Sequence, residues 1–239
     1  MIDYIAAITT ESRRFSQLIQ SLRPEVNVPS CSEWNLADLA WHLTEVQYFW
    51  ASIATDLLES PEGLAELERP HDSELAELFD AQSKRLVAAL TSHQPEEVCW
   101  SWHDSGHTIG WLRRRQAHEA LIHRVDAELA SGTVSAIDTQ LAAEGVDEIL
   151  TVMLDASTLP EWASFVDDGR TAGITTDEGR TWSMLLGRFQ GTSPATGNTY
   201  DDSALLLAPV DRPPTVSIRG AAPDLDLWLW GRGPIDPMS

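Results

Sequence analysis

Lysine is nearly missing from this chain of 239 residues: Lys84 is the only one, and every other basic side chain is an arginine. Basic residues are few altogether, 16 against 37 acidic ones, and the formal charge is -21. Such a surface repels a nucleic-acid backbone and an anionic membrane alike, so neither is an expected partner. Cysteine is scarce as well. Cys31 and Cys99 stand far apart and form no CxxC pair, which argues against a disulfide framework and against a cysteine-rich zinc site. No run approaches the roughly 20 apolar residues of a membrane span. The N-terminal stretch carries Glu11, Arg13 and Arg14 where a secretory leader needs its apolar segment, so the chain is expected to stay in the cytoplasm. Internal repeats and low-complexity tracts are absent too.

What the chain has is periodic apolar patterning. Ile5, Ile8, Phe15, Ile19 and Leu22 fall near one stripe and predict a helix over about residues 2–22. A loop with Pro24, Pro29 and Cys31 follows. Asn35, with Asp38 three residues on, then reads as the N-cap of a helix over roughly 36–58. A third helix is predicted over about 73–90, and a fourth from near Thr108 to Gly132, a natural terminator. A fifth covers about 137–154, and short polar links join the set. After Pro160 the segments shorten and gain Gly, Thr and Pro. Thr181–Phe189, Ala204–Leu207 and Thr215–Arg219 read as strands, and Ala222–Trp230 as a short apolar helix. The expected fold is α+β with two domains: an up-and-down four-helix-type bundle over 1–158 and a small α+β domain over 159–239.

The fourth helix, TIGWLRRRQAHEALIHRVDAELASG, is where chemistry concentrates. Glu119 and His123 lie one turn apart and project from one face, a ready two-point chelate for a divalent ion. Asp126 follows three residues later and reads either as a group that orients His123 or a neighbour or as a solvated helix acid. A third ligand is needed, and His42, inside the apolar helix WNLADLAWHLTEVQYFW, is the candidate. A buried imidazole amid Leu39, Leu43, Val46 and Phe49 needs a polar partner. The spacing leaves a rival open: Glu119 sits four residues after Arg115 and forms an ordinary helix ion pair with it. His118 points about 100° away from the metal face and reads as a packing residue. Glu45 reads as a surface acid and Cys31 as a structural thiol.

Three stretches, VPSCSEWNLADLAWHLTEVQYFW, RRRQAHEALIHRVDAELA and IRGAAPDLDLWLWGR, occur here in that order. Together they resemble the mycothiol-dependent maleylpyruvate isomerase family of the DinB-like superfamily. The resemblance implies a DinB-like helical bundle holding a divalent metal, typically zinc, through His, Glu and His. Trp34, Asp38, Leu39, His42 and Leu43 match the first ligand's pattern, and His118, Glu119, His123, Arg124 and Asp126 match the second. It also implies mycothiol as a thiol cosubstrate and a small, carboxylate-bearing electrophile as substrate. The reaction so implied is conjugate addition of the thiol, rotation about the new single bond, and elimination to the trans isomer.

Metal chemistry is compatible with that expectation. Three protein ligands leave a coordination position open, and a thiol placed there loses its proton near neutral pH. The same position serves a thiol transferase acting on another electrophile, or a hydrolase that activates water. A non-catalytic metal- or small-molecule-binding protein of the same fold is a further alternative. The C-terminal part contributes Arg180, Arg188, Arg212, Arg219 and Arg232, any of which suits a carboxylate. The resemblance points to an arginine from this part, with Arg232 in WLWGR and Arg219 as candidates.

Overall fold

Most helices in this chain begin at a short polar side chain that satisfies unpaired N–H groups of the first turn. In the computed structural model, which describes residues 2–104, 106–157 and 159–233, four long helices fill the N-terminal part. They are α1 (Tyr4–Ser21), α2 (Leu36–Asp56), α3 (Leu75–Ser92) and α4 (Ile109–Ser131). Asn35 and Asp38 close the reciprocal box their spacing predicts. Asn35 Oδ1 accepts from the Asp38 amide at 2.9 Å, and Asp38 Oδ2 accepts from the Asn35 amide at 3.2 Å. Thr108 caps α4, and Gly132 ends it in the left-handed region (φ 82°), which a side chain would strain.

The bundle has the expected number of helices, and one detail of its connectivity differs. Leu36 and Ala40 of α2 line the same crevice as Leu75 and Ala76 of α3, and the Arg85 guanidinium lies 5.3 Å from the ring centroid of Tyr48. Both contacts put early residues with early and late with late, so α2 and α3 run parallel. The pairs Tyr4–His118 and Glu11–Arg124 make α1 and α4 parallel in the same way. His42–His123 and Trp50–Trp111 make α2 and α4 antiparallel. Directions therefore do not simply alternate. The link over residues 57–74 is a long crossover, since it must return along a helix about 30 Å in length.

Phe15, Leu36, Leu39, Leu43, Leu75 and Phe79 form the centre of this core, with the rings of Phe15 and Phe79 4.9 Å apart. Each such burial is worth about 1.5–3 kcal/mol. One charge is buried alongside. Arg124, fully inaccessible, donates to Glu11 of α1 at 2.7 Å and to Glu128 at 2.6 Å, and its Nη1 also reaches the Ser135 hydroxyl at 3.1 Å.

By packing, the chain separates into two compact units, residues 1–136 and 137–239. The second contains α5 (Thr139–Glu148), a π-helical turn at Ile149–Leu154, β1 (Ala163–Thr176), β2 (Thr181–Thr192), β3 (Thr199–Leu207), β4 (Val216–Gly220) and α6 (Ala222–Leu229). The sheet order is β3-β2-β1-β4, antiparallel except for the β1–β4 pair. Helix α5 falls within the 1–158 stretch of the sequence reading but packs in the second unit. Its Val146, together with Ile149 and Leu150, meets Ala172, Ile174, Trp182 and Met184 of the sheet and Leu225 of α6. Strand β1 has no counterpart in the sequence reading. Its Asp167-Asp168-Gly169 run looks like a turn, yet the register shifts between Asp167 and Thr171 while the strand continues on either side, with Gly169 at φ 84°.

Candidate metal centre

Helix periodicity and one loop build the site in the first unit. Leu39 and Leu43 turn into the core, and His42, about 100° from Leu43, sits at the edge of that face. Its side chain keeps 35% exposure, so it is not the enclosed imidazole the apolar surroundings suggest. The Trp34 ring, from the turn before α2, packs 4.9 Å away at a 44° tilt and restricts the imidazole on one side. Across the groove, α4 supplies Glu119 and His123 one turn apart.

These three side chains converge. His123 Nε2 lies 3.1 Å and His42 Nε2 3.6 Å from the same carboxylate oxygen, Glu119 Oε1. One donor atom from each lies within 4.8 Å of the other two. Donors at 2.0–2.1 Å from a tetrahedral zinc stand about 3.3–3.4 Å apart, close to the two separations from Glu119 Oε1, so this set could hold a single divalent ion. The remaining contacts support that fit. Asp126 Oδ2 accepts from Nδ1 of His123 at 2.9 Å, which turns Nε2 toward Glu119. Ser30, from the loop before α2, donates to the other Asp126 oxygen at 2.5 Å. Glu119 Oε2 is held by the Arg115 guanidinium. The ion pair that competed with the chelate in the sequence therefore coexists with it, one carboxylate oxygen for each.

Electrostatics follow from these contacts. Burial opposes ionisation of Glu119, but the Arg115 charge and the bonds from His123 and His42 hold its carboxyl well below the usual range. Burial likewise disfavours a charged His123, but the bonds to Asp126 and Glu119 outweigh it and lift the imidazole to about 9. A protonated His123, with one N–H on each of two carboxylates, thus brings the positive charge to the cluster.

Two other sequence candidates in the first unit are not part of this cluster. His118 is buried against Tyr4, and burial, with the charges of Arg115 and Arg114, pushes it down to about 3. Glu45 is exposed. Burial raises the Cys99 thiol to about 11, and neither cysteine is in a disulfide. The C-terminal arginines have partners in their own unit. Arg180 pairs with Glu144 and Asp147, Arg188 with Asp201 and Arg219 with Asp177, while Arg212 donates to the Gly169 carbonyl. Arg232, just beyond α6, donates to the Trp230 carbonyl at 2.5 Å. Ser30 and the site role of Arg115 were not foreseen. Ser30 acts across 96 positions of sequence, which no local pattern encodes.

A family model described as the mycothiol maleylpyruvate isomerase N-terminal domain matches residues 5–128, a span that includes all three converging ligands and Asp126. No curated protein matches. A solved structure described as that of the mycothiol-dependent maleylpyruvate isomerase is similar over 97% of this chain and 89% of its own, with a TM-score of 0.59 and 14% identity. At that identity the likeness is one of fold.

Proposed function

The chain belongs to the mycothiol maleylpyruvate isomerase N-terminal domain family, and from that premise we propose a metal-dependent enzyme that activates a low-molecular-weight thiol of the mycothiol type. Its reaction is cis–trans isomerisation of a small electrophile of the maleylpyruvate kind. The observation that carries this reading is the convergence of His42 Nε2, His123 Nε2 and Glu119 Oε1 on one point. A divalent cation held there, zinc in this proposal, would supply the Lewis acidity that keeps a thiol ionised near neutral pH.

The chain's own residues do the rest. His42 and His123 offer neutral nitrogen donors once His123 gives up its extra proton, and Glu119 offers one anionic oxygen. Asp126 holds the remaining proton at Nδ1 of His123 and so fixes the direction of Nε2. Three protein donors would leave room for the thiol at a bound ion. The thiolate adds to the activated double bond, the new single bond rotates, and elimination returns the thiol and leaves the trans product. Arg232 is the candidate anchor for a substrate carboxylate, which guanidinium grips in a fork.

Two measurements test this. Protein purified without chelator should carry about one equivalent of divalent metal per chain, and His42→Ala or Glu119→Ala should lose it. Less than about a tenth of an equivalent, with no effect of either variant, sinks the centre. In thermal-shift assays mycothiol should stabilise the native protein but not Glu119→Ala. Indifference to mycothiol and glutathione alike would favour a water-activating site or a binding protein.

A further inference from the structure

A carboxylate that ligates a metal can use one oxygen or two, and the choice decides whether a coordination position stays open for substrate. In this chain the choice is made by another side chain. Glu119 Oε1 faces both imidazoles, while Oε2 is taken by Arg115, four residues earlier on α4. The Arg115 side chain is only 7% exposed and that of Glu119 15%, so water offers little competition for Oε2. A planar guanidinium with directed N–H groups holds a carboxylate oxygen in place far better than a mobile point charge does.

We propose that Arg115 is a positioning residue that confines Glu119 to a single coordinating oxygen and thereby keeps a place at the metal free for the thiol. The inference rests on the metal-centre reading above. It has a second consequence in charge. Glu119, Asp126 and Arg115 together carry one net negative charge, and a divalent cation turns that into one net positive. Without Arg115 the loaded cluster is neutral, although the chain as a whole stands at -21. Arg115 therefore also makes the loaded site attractive to an incoming thiolate.

Cobalt(II) reports both effects, because its visible bands weaken as coordination number rises and a bound thiolate adds a near-ultraviolet charge-transfer band. The test compares native protein, Arg115→Met and Arg115→Lys, each loaded with cobalt and titrated with N-acetylcysteine, with circular dichroism to verify folding. Arg115→Met should bind cobalt with weaker visible bands, as Glu119 swings both oxygens onto the ion. It should need about tenfold or more extra N-acetylcysteine to develop the charge-transfer band. Arg115→Lys should lie between the two, and it decides the matter if Arg115→Met does not fold. A folded variant with native bands and native thiol titration overturns the assignment. Native protein that takes up no cobalt overturns the metal centre, and this assignment with it.

Discussion

Asp126 bridges His123 and Ser30: one carboxylate oxygen lies 2.9 Å from Nδ1 of His123 and the other 2.5 Å from the Ser30 hydroxyl. A residue of α4 is thereby tied to the loop that precedes α2, the two elements that carry the candidate ligands. Asp126→Ala is expected to weaken metal binding about 10–100-fold, measured by competition with a chromophoric chelator. Asp126→Asn keeps an acceptor for Nδ1 and should recover part of the loss. Equal affinity in native protein and Asp126→Ala would show that His123 needs no such support.

Metal binding should depend on pH in a defined window. His123 rises from 6.5 to about 9 in the metal-free fold, against burial, through its bonds to Asp126 and Glu119. The folded state holds this proton more tightly than the unfolded one. Its contribution to metal-free stability is thus complete below about 6.5 and is lost as pH rises through about 9. Chelator-treated protein should accordingly lose melting temperature across that interval. Metal affinity should rise over the same range, with about one proton released per ion, measurable by calorimetry in buffers of different ionisation enthalpy.

A second titration concerns the C-terminal unit. Asp226 on α6 is fully buried, and a Cβ at Gly145 of α5 would lie 2.5 Å from its carboxylate. Burial and the charge of Glu148 push its carboxyl well above 3.8. The folded state here binds more protons than the unfolded state, so stability falls as pH rises above about 4. Asp226→Asn should raise the melting temperature at pH 8 by about 2–4 °C or more, the effect of about 1 kcal/mol in a chain of this size. The gain should vanish toward pH 4. A melting temperature lowered equally at both pH values would contradict the sign.

For Arg232 the expected outcome is kinetic. Arg232→Gln should raise KM for a carboxylate-bearing substrate about 10–100-fold, the worth of one charge-assisted contact. Metal content should be unchanged. Arg219→Gln serves as the control, because Arg219 is exposed and paired with Asp177 at 3.2 Å.

Much of this was legible in the residues. The Asn35–Asp38 box, the Thr108 and Gly132 ends of α4 and the stripes of Leu39/Leu43 and Val146/Leu150 are local signals, readable from one turn of sequence. Glu119 and His123 are legible for the same reason, since four residues on a helix fix a shared face. The parallel pairing of α2 and α3 is not legible, because it depends on how Leu36 meets Leu75 and Tyr48 meets Arg85 across a crossover. Strand β1 was hidden by Asp167-Asp168-Gly169, whose composition describes a turn and whose pairing makes an irregular strand. Ser30 was hidden by distance along the chain. Arg115 was visible, but as a competitor for Glu119. Only coordinates reveal that a carboxylate has an oxygen to spare for each partner.

The buried cluster of Arg124, Glu11 and Glu128 has a consequence for how relatives of this chain diverge. Loss of Arg124 strands two carboxylates with little access to water, at about 3–5 kcal/mol, whereas exchange of the whole set for apolar residues of like volume is close to neutral. The three positions should therefore drift as a block. A homologue with Leu or Met at the place of Arg124 should carry uncharged residues opposite it, and intermediates with a single exchange should be rare among natural sequences.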